Sequence, residues 1–273
     1  MLIYFLTFLS IALCAAYISN LRKNNNILMT KLIKSCRISL VWSRLPYIDV
    51  KGVIASLYCD NAWRIEMFDG VILDVDGTLW DSTPVVEDAW NQALKDYGYP
   101  QFSVTAERLK SLFGLPMMDI LKEVLPGIDE SELNAFALRC YEYEHAYIDK
   151  TPGILYEGIC EVIREISKTH PVFIVSNCQA GYIELFLKKT GLADVVKDHL
   201  CPGDTDRFKA DNIRMIVNRH GLKNAVYVGD IQKDADASYE AGVEFVFAAY
   251  GFGSCNRYYA SINKPMELLD IVG

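Results

Sequence analysis

The chain has 273 residues, of which 51% are hydrophobic and 23% are charged, and its formal net charge is −8. This is the composition of a globular protein, with room for one large domain or for a core domain with a smaller inserted one. An acidic chain lacks the basic surface that nucleic acids require, so we expect no nucleic-acid partner. An anionic substrate would have to be bound by local features such as a metal ion, a lysine or backbone amides.

The first 66 residues differ in character from the rest. MLIYFLTFLSIALCAAYI, at 1–18, has no charged side chain and is long enough for a transmembrane helix. A cleaved signal peptide is disfavoured, because no basic residue precedes this run and no A-x-A pattern follows it. Basic residues after the run would place the downstream chain in the cytoplasm. Residues 1–66 are therefore either a membrane anchor, inserted through 1–21, or an upstream extension outside the working protein, since Met67 directly precedes the first convincing strand.

From Met67 onward, short apolar runs alternate with amphipathic segments, which is typical of a parallel sheet covered by helices. The predicted strands are 71–75, 172–176, 226–229 and 244–248. The predicted helices that cover them are 157–168, 181–190, 208–219 and 234–241. We therefore expect an α/β fold, a doubly wound parallel sheet with a Rossmann-like core.

About seventy residues between the first strand and Pro152 contain no strand-like run. Four segments in this region have apolar residues at helical spacing: 85–97, 107–113, 118–124 and 130–147. The sequence thus predicts a helical insertion at 82–151 that splits an α/β core formed by 67–81 and 152–273. It makes no prediction of the oligomeric state.

The stretch VILDVDGTLWDST, at 71–83, places two acids at the end of the first strand. Asp74 interrupts the apolar run and Asp76 follows at an alternate position, so both point to the same side of an extended chain. Burying ionised carboxylates without partners is costly, which favours a function for this pair.

Polar residues also end two other predicted strands, as Ser176-Asn177 and as Gly229-Asp230. Ligands of open α/β sheets bind outside the carboxyl ends of the strands, so these groups should converge on one spot. Asp234, four residues after Asp230, and Lys209, at the start of a predicted helix, would join them.

The four acids would repel one another in a cleft unless a cation neutralises them. A site rich in carboxylates is one that Mg²⁺ prefers, and Mg²⁺ commonly keeps waters and a substrate phosphate as further ligands. The phosphate would accept hydrogen bonds from three donors. These are Ser176, Asn177 and Lys209.

These motifs, in this order, resemble those of the haloacid dehalogenase-like (HAD) hydrolase superfamily: DVDGT, a strand ending in Ser-Asn, a lysine, and GD-x-x-x-D. The resemblance covers 67 to about 255. The helical insertion resembles the C1 cap of the phosphoglycolate phosphatase-like subfamily, and FGLP at 113–116 and TPG at 151–153 resemble its cap and return segments.

The resemblance implies a role for each group. Asp74 would be the nucleophile that forms an aspartyl-phosphate, and Asp76 would protonate the leaving group and then activate water. Mg²⁺ would be bound by the Asp74 carboxylate, the Asp76 carbonyl and Asp230, with Asp234 supporting it directly or through water. The second aspartate favours phosphate esters over carbon–halogen bonds. RFKADN offers two cations for the third motif; Lys209 fits better than Arg207 because a helix follows it.

Structural explanations of the same residues remain open. Asp76-Gly77 could form a turn, Ser176-Asn177 could cap a helix, and Asp230 and Asp234 could be first-turn acids that complement a helix dipole. Lys209 could be a solvated surface lysine, and FGLP an ordinary turn between helices.

We expect a Mg²⁺-dependent phosphatase for a small phosphorylated metabolite such as phosphoglycolate or a sugar phosphate, because a closing cap excludes large substrates. Two alternatives differ from it in function. A phosphosugar mutase would return the phosphoryl group to a sugar, and a membrane-tethered binding module would retain the fold without catalysis.

Overall fold

The computed structural model describes residues 68–272. The predictions made for 1–66, namely a membrane anchor through 1–21 or an upstream extension, lie outside the described residues. Between 68 and 272, every helix is too short or too polar to cross a membrane. The cytoplasmic location inferred from the basic residues after 1–18 stays a prediction.

The described chain alternates strands and helices. The strands are β1 Gly70–Leu73, β2 Trp80–Asp81, β3 Ile154–Leu155, β4 Val172–Val175, β5 Val196–Leu200, β6 Ala225–Gly229, β7 Glu244–Ala248 and β8 Ala260–Ile262. The helices are α1 Thr83–Asp96, α2 Ala106–Leu112, α3 Met117–Val124, α4 Glu130–Lys150, α5 Ile159–Ser167, α6 Tyr182–Thr190, α7 Pro202–Thr205, α8 Lys209–His220, α9 Gln232–Glu240 and α10 Leu269–Val272, the last preceded by a 3₁₀ turn at Pro265–Leu268.

Six strands form one parallel sheet in the order β5-β4-β1-β6-β7-β8. β1 lies inside the sheet. The next strands in the chain, β4 and β5, lie on one side of it, and β6, β7 and β8 lie on the other side. The change of direction occurs beside β1, which lies between β4 and β6. This is the switch point at which parallel α/β sheets form their ligand sites.

The sheet is covered on both faces by hydrophobic side chains. Alternate residues of β1 point to opposite sides, so Val71 and Leu73 join one buried cluster and Ile72 joins another. The second cluster includes Phe173 of β4, Tyr227 of β6 and Phe245 of β7. The predicted doubly wound parallel α/β fold is therefore confirmed.

Four helices, α1 to α4, lie between β2 and β3, and β2 pairs with β3 in a separate antiparallel two-stranded sheet. The long helix α4 packs along α1, and an edge-to-face contact between Tyr97 and Phe136 joins them. The four helices correspond to the four predicted segments. The exact division of the chain at 82 and 151 stays a prediction.

The short strand β2, at Trp80–Asp81, was not predicted. A two-residue strand is too short to give an alternating pattern. The sequence also gave no indication of β5 and β8, which lie at the two edges of the main sheet. Edge strands are partly exposed, so they lack the continuous apolar run by which the central strands were predicted.

Candidate active site

The predicted site residues lie around one cavity at the carboxyl edge of the sheet. Asp74 follows β1, Ser176 follows β4 and Asp230 follows β6, and these three strands are neighbours in the sheet. The cavity has a volume of about 460 Å³, and its lining includes these three residues together with Asp76 and Lys209. The strand order therefore brings together residues that are up to 156 positions apart in the chain.

Three buried acids form a cluster around one buried lysine. Oxygen atoms of Asp74, Asp230 and Asp234 lie within 4.8 Å of one another. The Lys209 ammonium, on the first residue of α8, donates to Asp74 Oδ1 at 2.9 Å and to Asp234 Oδ1 at 2.6 Å. Lys209 is therefore not a solvated lysine, whereas Arg207, the other candidate for the third motif, is exposed.

Asp234 is fully buried and is not part of the cavity wall. Its Oδ2 accepts hydrogen bonds from the backbone N–H groups of Asp230, at 3.1 Å, and Ile231, at 3.3 Å. Since Oδ1 is bonded to Lys209, both oxygens already have partners. Asp234 is an acid in the first turn of α9, and it also contacts the predicted site residues. Its Oδ2 holds the loop after β6, and its Oδ1 orients Lys209.

The electrostatics of the cluster suit a divalent cation. Burial raises the pKa of Asp74 to about 6, against the opposing effect of the Lys209 charge. The pKa of Asp230 is also raised, by burial and by the neighbouring carboxylates. Three acids share one ammonium and offer only oxygen ligands, so this donor set fits Mg²⁺.

Asp76 has a different environment, although it lines the same cavity. Its Oδ1 accepts hydrogen bonds from Ser82 Oγ at 2.5 Å, Tyr182 Oη at 2.9 Å and Trp80 Nε1 at 3.1 Å. Burial nevertheless raises the pKa of this carboxyl to about 7, which suits a group that both gives and takes a proton near neutrality.

The predicted phosphate donors also border the cavity. Ser176 is buried beside Asp74, and the two are close enough for a hydrogen bond that lowers the pKa of Asp74. The Asn177 amide donates to the Gly114 carbonyl at 3.3 Å. This bond crosses from the sheet to the loop between α2 and α3.

The FGLP segment lies in that loop, and all four of its residues line the cavity. The Phe113 ring packs edge-to-face on Phe252, with ring centroids 6.3 Å apart. FGLP is thus a turn between two helices and a wall of the cavity at the same time.

A comparison with protein families matches residues 71–248 to the haloacid dehalogenase-like hydrolases. This span runs from β1 to the end of β7 and covers well over half of the chain.

The chain belongs to the haloacid dehalogenase-like hydrolase family.

Curated relatives of this HAD hydrolase include proteins named phosphoglycolate phosphatase. One from Vibrio parahaemolyticus is 26% identical over 219 residues, which cover 74% of this chain and 95% of the Vibrio protein. Another, from Rhodobacter capsulatus, is 25% identical over 195 residues, which cover 68% of this chain and 86% of the relative. The resemblance predicted from the ordered motifs is confirmed.

Solved structures of HAD hydrolases share the fold. A family member from Streptococcus pneumoniae superposes with a TM-score of 0.66 at 20% identity, covering 74% of this chain and 97% of its own. A subfamily IA hydrolase from Geobacter sulfurreducens gives a TM-score of 0.59 at 19% identity, covering 76% of this chain and 97% of its own.

Several residues of the HAD site were missed by the sequence analysis. Ser82 and Trp80 lie within six positions of Asp76 and can donate hydrogen bonds. This proximity in the sequence could have indicated them as partners of Asp76. Tyr182 lies 106 positions away, and nothing in the sequence connects it with Asp76. Glu144 was also missed, although it interrupts the apolar stripe of α4 between Cys140 and Ile148.

Gly77 is required by the geometry of the acid cluster. Its φ is +80°, and a Cβ atom at this position would lie 2.0 Å from Asp230 Oδ2. We expect Gly77→Ala to displace Asp230 and to lower hydrolase activity by about 100-fold or more. The measurement is kcat/KM on an aryl phosphate.

Gly98→Ala is the matched control for this substitution. Gly98 has a similar φ of +87°, but a Cβ there would meet nothing within 4 Å. Both variants carry the same backbone strain, of about 1 kcal/mol, and only Gly77→Ala adds the collision with Asp230. Equal activity of the two variants would contradict the assigned role of Gly77.

Proposed function

We propose that this HAD hydrolase is a Mg²⁺-dependent phosphatase that hydrolyses the phosphomonoester of a small metabolite through an aspartyl-phosphate. The observation that carries the proposal is a pair of acids in one cavity, the buried Asp74 and the half-buried Asp76. Asp74 is ion-paired with Lys209, whereas Asp76 is bonded by neutral donors and has a pKa of about 7. Two carboxyl groups with different environments suit different chemical roles.

Asp74 is the nucleophile in this proposal. A carboxylate oxygen attacks phosphorus, the bond from phosphorus to the ester oxygen breaks, and the phosphoryl group is held as an acyl phosphate. The Lys209 ammonium keeps the Asp74 carboxylate oriented at 2.9 Å. Lys209, Ser176 and the Asn177 amide border the space in which the phosphoryl oxygens would lie.

Asp76 acts on the leaving group and on water. Its carboxyl proton passes to the departing ester oxygen, and the resulting carboxylate then removes a proton from the water that attacks the acyl phosphate. The second step restores both aspartates and releases inorganic phosphate. Tyr182, Ser82 and Trp80 hold the carboxyl in place during both steps.

The proposed metal site combines the Asp74 and Asp230 carboxylates with the Asp76 carbonyl, supported by Asp234. A bound Mg²⁺ supplies positive charge that offsets the acids and the phosphate oxygens. Asp230 is held for this role by the backbone N–H of Phe252, which donates to its Oδ2 at 2.7 Å. Asp234 supports the site through Asp230 and Lys209, since its own oxygens are engaged.

The cavity supports a small substrate. Its volume of about 460 Å³ suits a metabolite rather than a folded protein, and residues of α1, α3, α4 and the FGLP loop form part of its wall. The names of the curated relatives support a phosphate ester of the same size class, such as phosphoglycolate or a sugar phosphate.

Metal removal tests the proposal. We expect the purified 273-residue chain to hydrolyse an aryl phosphate, to lose at least about 99% of this activity in EDTA, and to regain it with excess Mg²⁺. Activity should be lost in EDTA because the acid cluster repels a phosphate dianion when no cation is bound. Release of inorganic phosphate is the measurement.

The same assay separates the alternatives. A phosphosugar mutase would convert a sugar phosphate into its isomer with little free phosphate, and a binding module would release none from any ester. Activity that is unchanged after exhaustive chelation would contradict the proposed metal dependence.

A further inference from the structure

A further buried carboxyl group faces the cavity from the inserted helices. Glu144, on α4, is 6% exposed and lines the cavity. Trp90 Nε1 donates to its Oε1 at 2.6 Å, and Gln179 Nε2 donates to its Oε2 at 2.8 Å. Both oxygens therefore act as acceptors, as they do in an ionised carboxylate, and both partners are neutral.

Glu144 is on the leaving-group side of the proposed reaction centre. Its carboxyl is close enough to Asp76 for the two charges to interact. In the proposed mechanism Asp76 contacts the ester oxygen, so the rest of the leaving group must extend past Asp76 into the cavity. Four other cavity residues bond to or interact with Asp76 or Glu144: Trp90, Tyr141, Gln179 and Tyr182.

Among the described residues, Glu144 is bonded to no cation, since its partners Trp90 and Gln179 are both neutral. Of the two lysines that line the cavity, Lys209 is already bonded to Asp74 and Asp234. Lys233 is exposed on α9, and the cavity residues one and two turns farther along that helix, Asp236 and Glu240, are acidic. A carboxylate on the leaving group would thus meet the like charge of Glu144, which no bonded cation offsets.

We infer that Glu144 is a specificity-determining residue that rejects leaving groups bearing a carboxylate and favours those bearing hydroxyl or amino groups. A hydroxyl or amino group can donate to the lone pairs that Trp90 and Gln179 leave unused on the Glu144 oxygens. A carboxylate on the leaving group has no hydrogen-bond donor and carries the same negative charge as Glu144. The repulsion between the two carboxylates discriminates against such a substrate. This inference rests on the proposed phosphatase function and narrows its substrates.

Two phosphate esters of similar size test the inference. 2-Phosphoglycolate and 2-hydroxyethyl phosphate differ in a single group, a carboxylate in one and a hydroxymethyl in the other. Burial raises the pKa of Glu144 to about 7, so assays at pH 8 keep it ionised. With the wild-type chain and Mg²⁺, we expect kcat/KM to be at least about tenfold higher for 2-hydroxyethyl phosphate.

Glu144→Gln removes the charge and retains the shape. Gln179 can turn its amide to accept from the new side chain, and Trp90 keeps its acceptor. We expect the preference for 2-hydroxyethyl phosphate to fall about tenfold, mainly through a lower KM for 2-phosphoglycolate. Glu142→Gln is the matched control, because it removes an exposed charge two residues away on α4 and should retain the wild-type preference.

The outcomes are distinguishable. If the wild-type chain hydrolyses an aryl phosphate but prefers 2-phosphoglycolate, or uses both esters equally, the inference is wrong and the phosphatase proposal stands. The inference is also wrong if the wild-type preference is unchanged in a folded Glu144→Gln variant. If none of the three esters is hydrolysed, the phosphatase proposal fails and the inference fails with it.

Discussion

Replacing Asp74 by asparagine is expected to lower kcat by about 10⁴-fold or more on any phosphate ester. The amide is a poor nucleophile, so the acyl phosphate cannot form, whereas the other site residues keep their positions. The neighbouring Lys209 retains its bond to Asp234 at 2.6 Å. Single-turnover release of phosphate, measured with excess enzyme, reports this loss directly.

The same substitution should not destabilise the protein. Asp74 is one of three acids within 4.8 Å, and burial and Asp234 both raise its pKa, so its charge is opposed by its surroundings. An uncharged side chain relieves that repulsion, and the melting temperature without metal should equal or exceed that of the wild type. Asp88→Asn, on the exposed face of α1, is the control and should change neither kcat nor the melting temperature. Turnover within tenfold of the wild type in Asp74→Asn would refute the nucleophile assignment.

Replacing Lys209 by methionine is expected to have the largest effect on stability. Lys209 is buried and bonded to Asp74 and Asp234, so its loss leaves these acids without their cation. Removing one partner of a buried ion pair costs about 3–5 kcal/mol. Urea denaturation in EDTA measures this free energy of unfolding, and activity should be lost as well.

Added Mg²⁺ should recover part of the stability of Lys209→Met, because the cation supplies positive charge to the same acids. Lys188→Met is the matched control: it breaks an exposed ion pair with Asp149 and should alter stability far less. A Lys209→Met variant as stable as Lys188→Met in EDTA would show that the acids do not depend on the buried lysine.

The central part of the fold could be predicted because buried parallel strands leave a simple pattern. β1, β4, β6 and β7 are runs of apolar residues with few interruptions, and the structure places each within two residues of its predicted bounds. β5 reads Val-Lys-Asp-His-Leu, since it is an edge strand with partly exposed side chains. Its place in the sheet is decided by pairing with β4, which a local pattern does not record.

The site could be predicted to the extent that its residues directly follow these strands. Asp74, Ser176 and Asp230 occupy such positions, and parallel pairing brings them to one edge. The partners of Asp76 and Glu144 come from other elements, and their contacts depend on how helices pack. Tyr182 reaches Asp76 from α6, and Gln179 reaches Glu144 across 35 residues of chain.

The hydrogen bond between Ser82 and Asp76 links the start of the inserted helices to the acidity of Asp76. Ser82 is the N-cap residue of α1, where the inserted helices begin, and its hydroxyl is one of three donors that lower the pKa of Asp76. Without this donor the Asp76 carboxylate would lose part of its stabilisation, and the pKa of Asp76 would rise further. The residue at which the inserted helices begin thus contributes to the acid strength of Asp76.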